Sequence, residues 1–178
     1  FNKKVKELPQ PDKIKPILVA LQNITDAPKK TMDIPEEKVA PAEETDIQKL
    51  IERGIMVIPV ARNSPYLSAS FVTDSIVDKE DLQALLTIKK QLIWLKLGFT
   101  NIDDSGLSLV AELHNLTRLS LEHTAISDKG ASSLKSLQKL KYLNLVGAGV
   151  TVKGILELKG LPVLSSLYLH QTLIDKSD

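Results

Sequence analysis

Leucines recur at a fixed interval through the C-terminal half of the chain. Leu97, Leu121, Leu145 and Leu169 lie 24 residues apart, and another leucine stands two residues before each of them. The L-x-L alternation is typical of a short strand that buries every second side chain. Apolar residues at every third position follow each strand and predict a helix with one buried face. No unit can cover its own apolar stripe, so neighbouring units are expected to stack on one another.

Each predicted helix has its own start signal. Asp103, Ser127 and Thr151 stand three residues ahead of a glycine, where an N-cap is expected. The apolar stripes of the three helices that follow are Leu107, Val110 and Leu113; Ala131, Leu134 and Leu137; and Ile155, Leu158 and Leu161. The pattern predicts an α/β solenoid, a short right-handed horseshoe of 24-residue repeats with parallel strands on the concave side and helices on the convex side.

The pattern shared by the units is L-x-x-L-x-L-x-x-T-x-I, followed by a polar pair and Gly, and it resembles the leucine-rich repeat of ribonuclease-inhibitor-like domains. That family places Asn or Cys where this chain has Thr100, Thr124, Ala148 and Thr172. The side chain at this position bonds to neighbouring backbone as the chain leaves the strand. Ala148 lacks such a group, so the third unit is expected to be weaker at this point.

Two regions precede the regular repeats of residues 92–178. Residues 44–92 are interpreted as diverged capping repeats, with helices at ETDIQKLIERG and KEDLQALLTIKKQL, a buried strand at IMVIPVA and a second strand at YLSASFV. Residues 1–43 hold six of the nine prolines among lysines and glutamates, which predicts an extended linker without a core of its own. The predicted organisation is therefore a 1–43 linker and a 44–178 repeat domain.

A further resemblance covers residues 39–178. The IPVA motif, the NSPYLS turn and the WLKLGFTNIDDSGL unit resemble the C-terminal repeat region of bacterial membrane-anchored proteins, where it follows a c-type-cytochrome-like portion. The resemblance implies a non-catalytic module in an extracytoplasmic compartment, the periplasm or cell envelope. The haem-binding and membrane-spanning parts would then lie upstream of Phe1.

Charge and composition narrow the chemistry that the chain can perform. Lys and Arg number 23 against 22 Asp and Glu, and the net charge of +1 offers no global field for nucleic acid or an anionic membrane. The longest apolar runs are far shorter than the roughly 20 residues that cross a bilayer. The absence of cysteine excludes disulfides, thiolate metal ligands and cysteine nucleophiles. We therefore expect neither nucleic-acid binding nor direct membrane insertion.

Stacked strands place the outward side chains of successive units in columns, with about 4.8 Å between neighbouring strands. Aromatic rings and arginine gathered on one such face are typical of protein interfaces. The alternative is that Arg118 stacks between Trp94 and Tyr142 and only satisfies the sheet face. The candidate binding residues on this face are Trp94, Lys96, Arg118, Glu122, Tyr142, Asn144, Tyr168 and His170.

Catalytic arrangements find little support in the sequence. His123 and His170 lie two strands apart, about 10 Å between backbones, which is too far for a ready shared metal site. The Asp103–Asp104 pair is better explained as an N-cap and a first-turn charge than as a carboxylate dyad. Neither a nucleophile elbow nor a phosphate-binding glycine loop is present. We expect no enzymatic activity, no metal and no cofactor.

Two functions remain open. The first is a module that binds a protein, or a neighbouring domain of its parent chain, through the concave face. The second is a binder of carbohydrate or cell-wall glycan that uses the same rings as stacking platforms. The last unit also stops at Asp178 before a covering helix can form, so we expect weak self-association through the strand at 165–170, or docking of a partner there.

Overall fold

A computed structural model describes residues 33–71 and 75–174. Within these ranges one six-stranded sheet follows the order of the chain, and strands alternate with helices, which fits an α/β leucine-rich-repeat-like fold. Strands β2 to β6 are parallel to their neighbours, whereas β1 is antiparallel to β2. The strands are β1 (Met56–Pro59), β2 (Leu67–Ser70), β3 (Leu92–Lys96), β4 (Arg118–Ser120), β5 (Tyr142–Asn144) and β6 (Ser166–Tyr168).

Short helices connect the strands. They are α1 (Glu44–Glu52), α2 (Lys79–Leu85), α3 (Asp104–Val110), α4 (Asp128–Ser133) and α5 (Val152–Glu157). Single 3₁₀ turns extend three of them, at Leu86–Ile88, Leu134–Ser136 and Leu158–Gly160. The predicted N-caps are confirmed, because Asp103, Ser127 and Thr151 each accept a bond from a backbone N–H in the first turn.

The core is the continuous layer that the leucine pattern predicts. Both leucines of the L-x-L motif are buried in the units of β3, β4 and β5, and the three predicted helix stripes are buried behind them. In the last unit Leu167 and Leu169 are only partly buried. Because every unit shares its core with the next, the apolar positions of the motif carry most of the hydrophobic stabilisation.

The threonine position of the repeat behaves as expected. Thr100, Thr124 and Thr172 each donate a side-chain hydrogen bond of 2.7–2.8 Å to the carbonyl three residues earlier, which secures the turn after the strand. At Ala148 only the backbone N–H makes the corresponding bond, to the Leu145 carbonyl. The third unit therefore lacks one side-chain bond that the others have.

Hydrogen bonds join the first turn of one helix to the N-cap of the next, and the sequence did not predict them. These carboxylate bonds are called the ladder here. Asp104 accepts bonds from the backbone N–H and the hydroxyl of Ser127 in the next unit, the latter at 2.5 Å. Asp128 repeats this arrangement with Thr151, at 2.7 Å for both bonds. The prediction for Asp104, a first-turn charge that favours its own helix, missed this bond to the next unit.

The prediction that β1 is a buried strand was wrong. The strand is antiparallel to β2, and it is largely exposed, with Met56 at 44% and Ile58 at 51% of full exposure. The physical reason is that the turn to β2 is too short to hold a helix, so the two strands form a hairpin. Met56 and Ile58 are exposed because they lie on the concave face, in register with Lys96 and Trp94. Val57, between them, packs against the core.

Residues 33–43, called here the strap, contact the sheet along the edge where strands β2, β3 and β4 begin. The Thr117 hydroxyl donates to the Asp33 carbonyl over 2.7 Å, and the Tyr66 hydroxyl donates to the Glu37 carbonyl over 2.8 Å. The buried Gln91 side chain donates to the Ala40 carbonyl over 2.8 Å. The strap is thus packed against the repeats, although composition had assigned it to a linker. The rest of that linker, residues 1–32, lies outside the described residues.

Candidate functional site

The concave face carries the columns that the repeat spacing predicts. Sheet pairing sets Trp94 beside Arg118, Arg118 beside Tyr142 and Tyr142 beside Ser166. The second column is Lys96, Ser120, Asn144 and Tyr168, in the same register. The alignment follows from strand pairing alone, because each strand pairs in register with the strand of the next unit and so sets equivalent positions side by side.

Arg118 lies between two aromatic rings. Its guanidinium carbon is 5.1 Å from the centroid of Trp94 and 5.4 Å from that of Tyr142, which places it in cation–π range of both. The Arg118 Nε also donates to the Asp33 carboxylate of the strap over 2.7 Å. The intramolecular stack that the sequence left as an alternative is therefore present, and it includes an anion from the strap that the sequence gave no means of pairing with Arg118.

The aromatic stack continues to the last described strand. The ring centroids of Tyr142 and Tyr168 are 5.1 Å apart, with their planes tilted by 43°. Burial raises the pKa of the Tyr142 hydroxyl, and the neighbouring Tyr168 and Glu122 raise it further while Arg118 opposes them. Trp94, Arg118, Tyr142 and Tyr168 thus form one series of ring and guanidinium contacts across four strands.

Glu122 lies just beyond β4, still within the ladder of parallel backbone bonds. Its Oε2 accepts a bond of 3.1 Å from the Nδ2 of the Asn144 side chain. The Oδ1 of the same side chain accepts the Val146 N–H, also over 3.1 Å. A methyl group at Gly98 would overlap the Glu122 carboxyl group, so the glycine leaves room for this side chain. The Asn144 amide therefore binds the carboxylate on one side, and the missing side chain of Gly98 leaves room for it on the other.

Two other candidate residues make fewer contacts on this face. Lys96 and His170 are exposed, and neither makes a side-chain hydrogen bond or ion pair within the described ranges. The indole N–H of Trp94 is buried without an acceptor in the same part of the chain. An unsatisfied buried donor lowers the stability of the fold. All eight candidate residues lie on one face, but contacts among them link only the rings, Arg118, Glu122 and Asn144.

The corner that follows each strand holds residues that periodicity did not distinguish. Phe99, His123 and Gln171 adopt φ angles of 62°, 53° and 59°, and Gly147 stands at the equivalent place with φ of 71°. These residues are therefore in a left-handed turn and no longer alternate as in a strand. The Phe99 and His123 rings stack with centroids 4.8 Å apart, and Phe99 is 67% exposed. A glycine at one of four equivalent corners is the signal that could have revealed the turn.

Tests for other kinds of site give no alternative centre. Residues 33–71 and 75–174 contain no group of three or more His, Asp or Glu side chains arranged to hold a metal ion. In the same residues, no helix has the length and apolar character needed to span a membrane.

Comparison with known proteins supports the repeat assignment over part of the chain. A family model described as Leucine Rich repeat matches residues 112–135, which run from the end of α3 through β4 to the turn after α4. No curated protein matches the chain. The match supports a leucine-rich-repeat domain, and domains of this class are generally non-catalytic modules that bind proteins.

Proposed function

We propose that the chain is a protein-interaction module whose concave face binds a polypeptide, either a separate protein or a neighbouring domain of the same parent chain. The observation that carries this proposal is the series of contacts from Trp94 through Arg118 and Tyr142 to Tyr168. Rings that are already packed against one another lose little conformational entropy on binding and offer a large contact area. No catalytic or cofactor role enters the proposal.

Binding of carbohydrate through the same rings is the second candidate. Sugars stack on exposed ring faces, and Tyr168 provides such a face next to the polar side chain of Asn144. Against this candidate, Trp94 and Tyr142 each already pack against Arg118, which leaves less open ring surface than a stacking platform needs. The location in a bacterial cell envelope stays a prediction from resemblance alone. Self-association through β6 stays a prediction from the uncovered edge of the last strand.

The two candidates can be separated by presenting the biotinylated full chain to a random-peptide phage library and to a glycan array. We expect peptides to be selected and glycans not to bind. Calorimetric titration should then show that Tyr168→Ala weakens peptide binding by about tenfold or more, as for an interface hot spot. Leu156→Ala, on the exposed side of α5, is the matched control and should have no effect.

Binding of glycans without peptides would favour the second candidate. Peptides that bind Tyr168→Ala as tightly as the original chain would show that the concave face is not the binding surface. Circular dichroism of each variant establishes that the fold is retained before affinities are compared.

A further inference from the structure

The concave face has an unequal distribution of charge partners. The outward positions of the described strands and of the residues that directly follow them carry three charged side chains, Lys96, Arg118 and Glu122. Arg118 is paired with Asp33 at 2.7 Å. Glu122 has no Lys or Arg within ion-pair distance in the described part of the chain, and its hydrogen-bond partner is the neutral amide of Asn144. Among the described residues, Glu122 is therefore a carboxylate without a cation partner.

Arg118 shows what this surface does with a cation. Its guanidinium makes cation–π contacts with two aromatic rings and donates a hydrogen bond to one carboxylate, so three groups bind the same cation. Aromatic faces attract a guanidinium or ammonium through the ring quadrupole, and a carboxylate adds a charge-assisted hydrogen bond. The combination holds a basic side chain in both position and orientation.

The same groups recur further along the sheet without a cation of their own. Tyr168 is paired in register with Asn144, and the Asn144 amide donates to Glu122 over 3.1 Å. Tyr168 packs on Tyr142 at 5.1 Å, and it makes no cation–π contact within the described ranges. Glu122 is partly buried and bonded to Asn144, so part of its conformational freedom is already lost before a ligand binds.

We propose that Glu122, Asn144 and Tyr168 form a binding site for an arginine or lysine side chain presented by the protein partner. This inference rests on the proposed function and adds the chemistry of the partner to it. Glu122 supplies the charge, Tyr168 supplies a ring face, and Asn144 holds the carboxylate toward the incoming cation. Lys96 is the described basic residue closest along the face, and it is exposed and unpaired, so it acts as a weak competitor for Glu122.

The test uses the isotope-labelled full chain and two small probes in NMR titrations. The probes are N-acetyl-arginine amide and N-acetyl-citrulline amide, which have nearly the same shape but differ by one positive charge. We expect the arginine probe to bind in the millimolar range and to shift resonances of residues 122, 144 and 168, while the citrulline probe leaves them unchanged. Glu122→Gln should weaken binding of the arginine probe by about tenfold or more, because the charge is lost while the acceptor for Asn144 is kept.

Two variants complete the design. Glu157→Gln removes a carboxylate that pairs with Lys135 on the helix side and should leave binding of the probe unchanged. Lys96→Ala should strengthen binding by about twofold, since a screened surface charge has a small effect. Equal shifts with both probes, or unchanged affinity in Glu122→Gln, would overturn the inference. Either result leaves the proposed function standing if peptide binding still depends on Tyr168, so the two failures are distinguishable.

Discussion

Two regions of the molecule are held by different kinds of contact. One is formed by the units of β3, β4 and β5, and the other is the chain ahead of β3. In the regular units the same bonds recur at equivalent positions, as in the threonine turns and the ladder from Asp104 to Asp128. Ahead of β3 the contacts are individual and reach far along the chain. The bond from Thr117 to Asp33 is one example, and that from Gln91 to Ala40 is another. Periodic sequence specifies the first kind, because one solution serves every unit.

The two regions also differ in what they bury. Every inward leucine of the units at β3, β4 and β5 is sealed by a helix and by the units on either side. β1 presents Met56 and Ile58 to the concave face, where both stay largely exposed. The chain ahead of β3 shares the same core through Leu50, Ile55 and Leu67, so the contrast in burial is confined to β1 and the strap. Four pairs of substitutions test this difference, from the largest expected effect to the smallest.

Truncation of a repeat leucine should have the largest effect. Leu121→Ala removes a fully buried side chain from the shared core and should lower the free energy of unfolding by about 2–5 kcal/mol. Ile58→Ala on β1 is the comparison variant and should lower it by less than about 1 kcal/mol, because half of that side chain is already exposed. Chemical denaturation measures both. Equal losses would mean that β1 contributes to the core as much as the repeats do.

Removal of one ladder carboxylate should have the next largest effect. Asp128→Ala leaves the Thr151 N–H and hydroxyl without their acceptor and should cost about 1–3 kcal/mol in urea unfolding. Lys129→Ala, an exposed neighbour in the same turn, serves as the control and should change little. A loss no greater than that of the control would show that the ladder adds nothing to stability.

The ladder also makes stability depend on pH. Burial alone would raise the pKa of the Asp128 carboxyl, but bonds from Thr151 and Gly154 outweigh it, and the pKa is lowered. This contribution is therefore complete above the unfolded-state value of about 3.9 and is lost as the pH falls through the lower folded-state value. The difference in stability between the original chain and Asp128→Ala should shrink over that range. A difference that stays constant into strong acid would contradict this assignment.

Release of the strap should have a smaller effect. Thr117→Val keeps the shape of the side chain but removes the hydroxyl that donates to the Asp33 carbonyl, at a cost of about 1 kcal/mol. Limited proteolysis should then cut within residues 33–43 faster than in the original chain. Thr87→Val, which removes only a local bond to Ala84, should leave the cleavage rate unchanged. Identical cleavage in both variants would mean that the strap is held by other contacts.

The smallest effect is expected at the corner of the repeat, where two equivalent positions should respond in opposite directions. Phe99→Gly replaces an exposed residue with φ of 62° by one that accepts this conformation freely, so stability should rise by up to about 1 kcal/mol. Gly147→Ala should instead lower stability by up to about 1 kcal/mol, because the new methyl group would meet His123 in a left-handed turn. Thermal unfolding compares the two variants. Loss of stability in Phe99→Gly would show that its stacking on His123 outweighs the backbone strain.

Much of the fold could be predicted because its information is local and repeated. The inward leucines, the helix stripes, the three N-caps and the columns of the concave face all depend on positions within one unit and on the step between units. The exposure of β1 could not be predicted in this way. A hydrophobic run such as IMVIPVA has the same appearance whether its outer face is covered or exposed.

The candidate site divides along the same line. Sequence alone placed Trp94, Arg118 and Tyr142 in one column, because β-strands in register align equivalent positions. It could not pair Arg118 with Asp33, since the two are 85 residues apart and the strap carries no repeat from which its position could be inferred. Nor could it show that Glu122 is bonded to Asn144 and has no cation partner among residues 33–71 and 75–174. Periodic positions are determined by the sequence, whereas the partner of each charge depends on which distant segments the folded chain brings together.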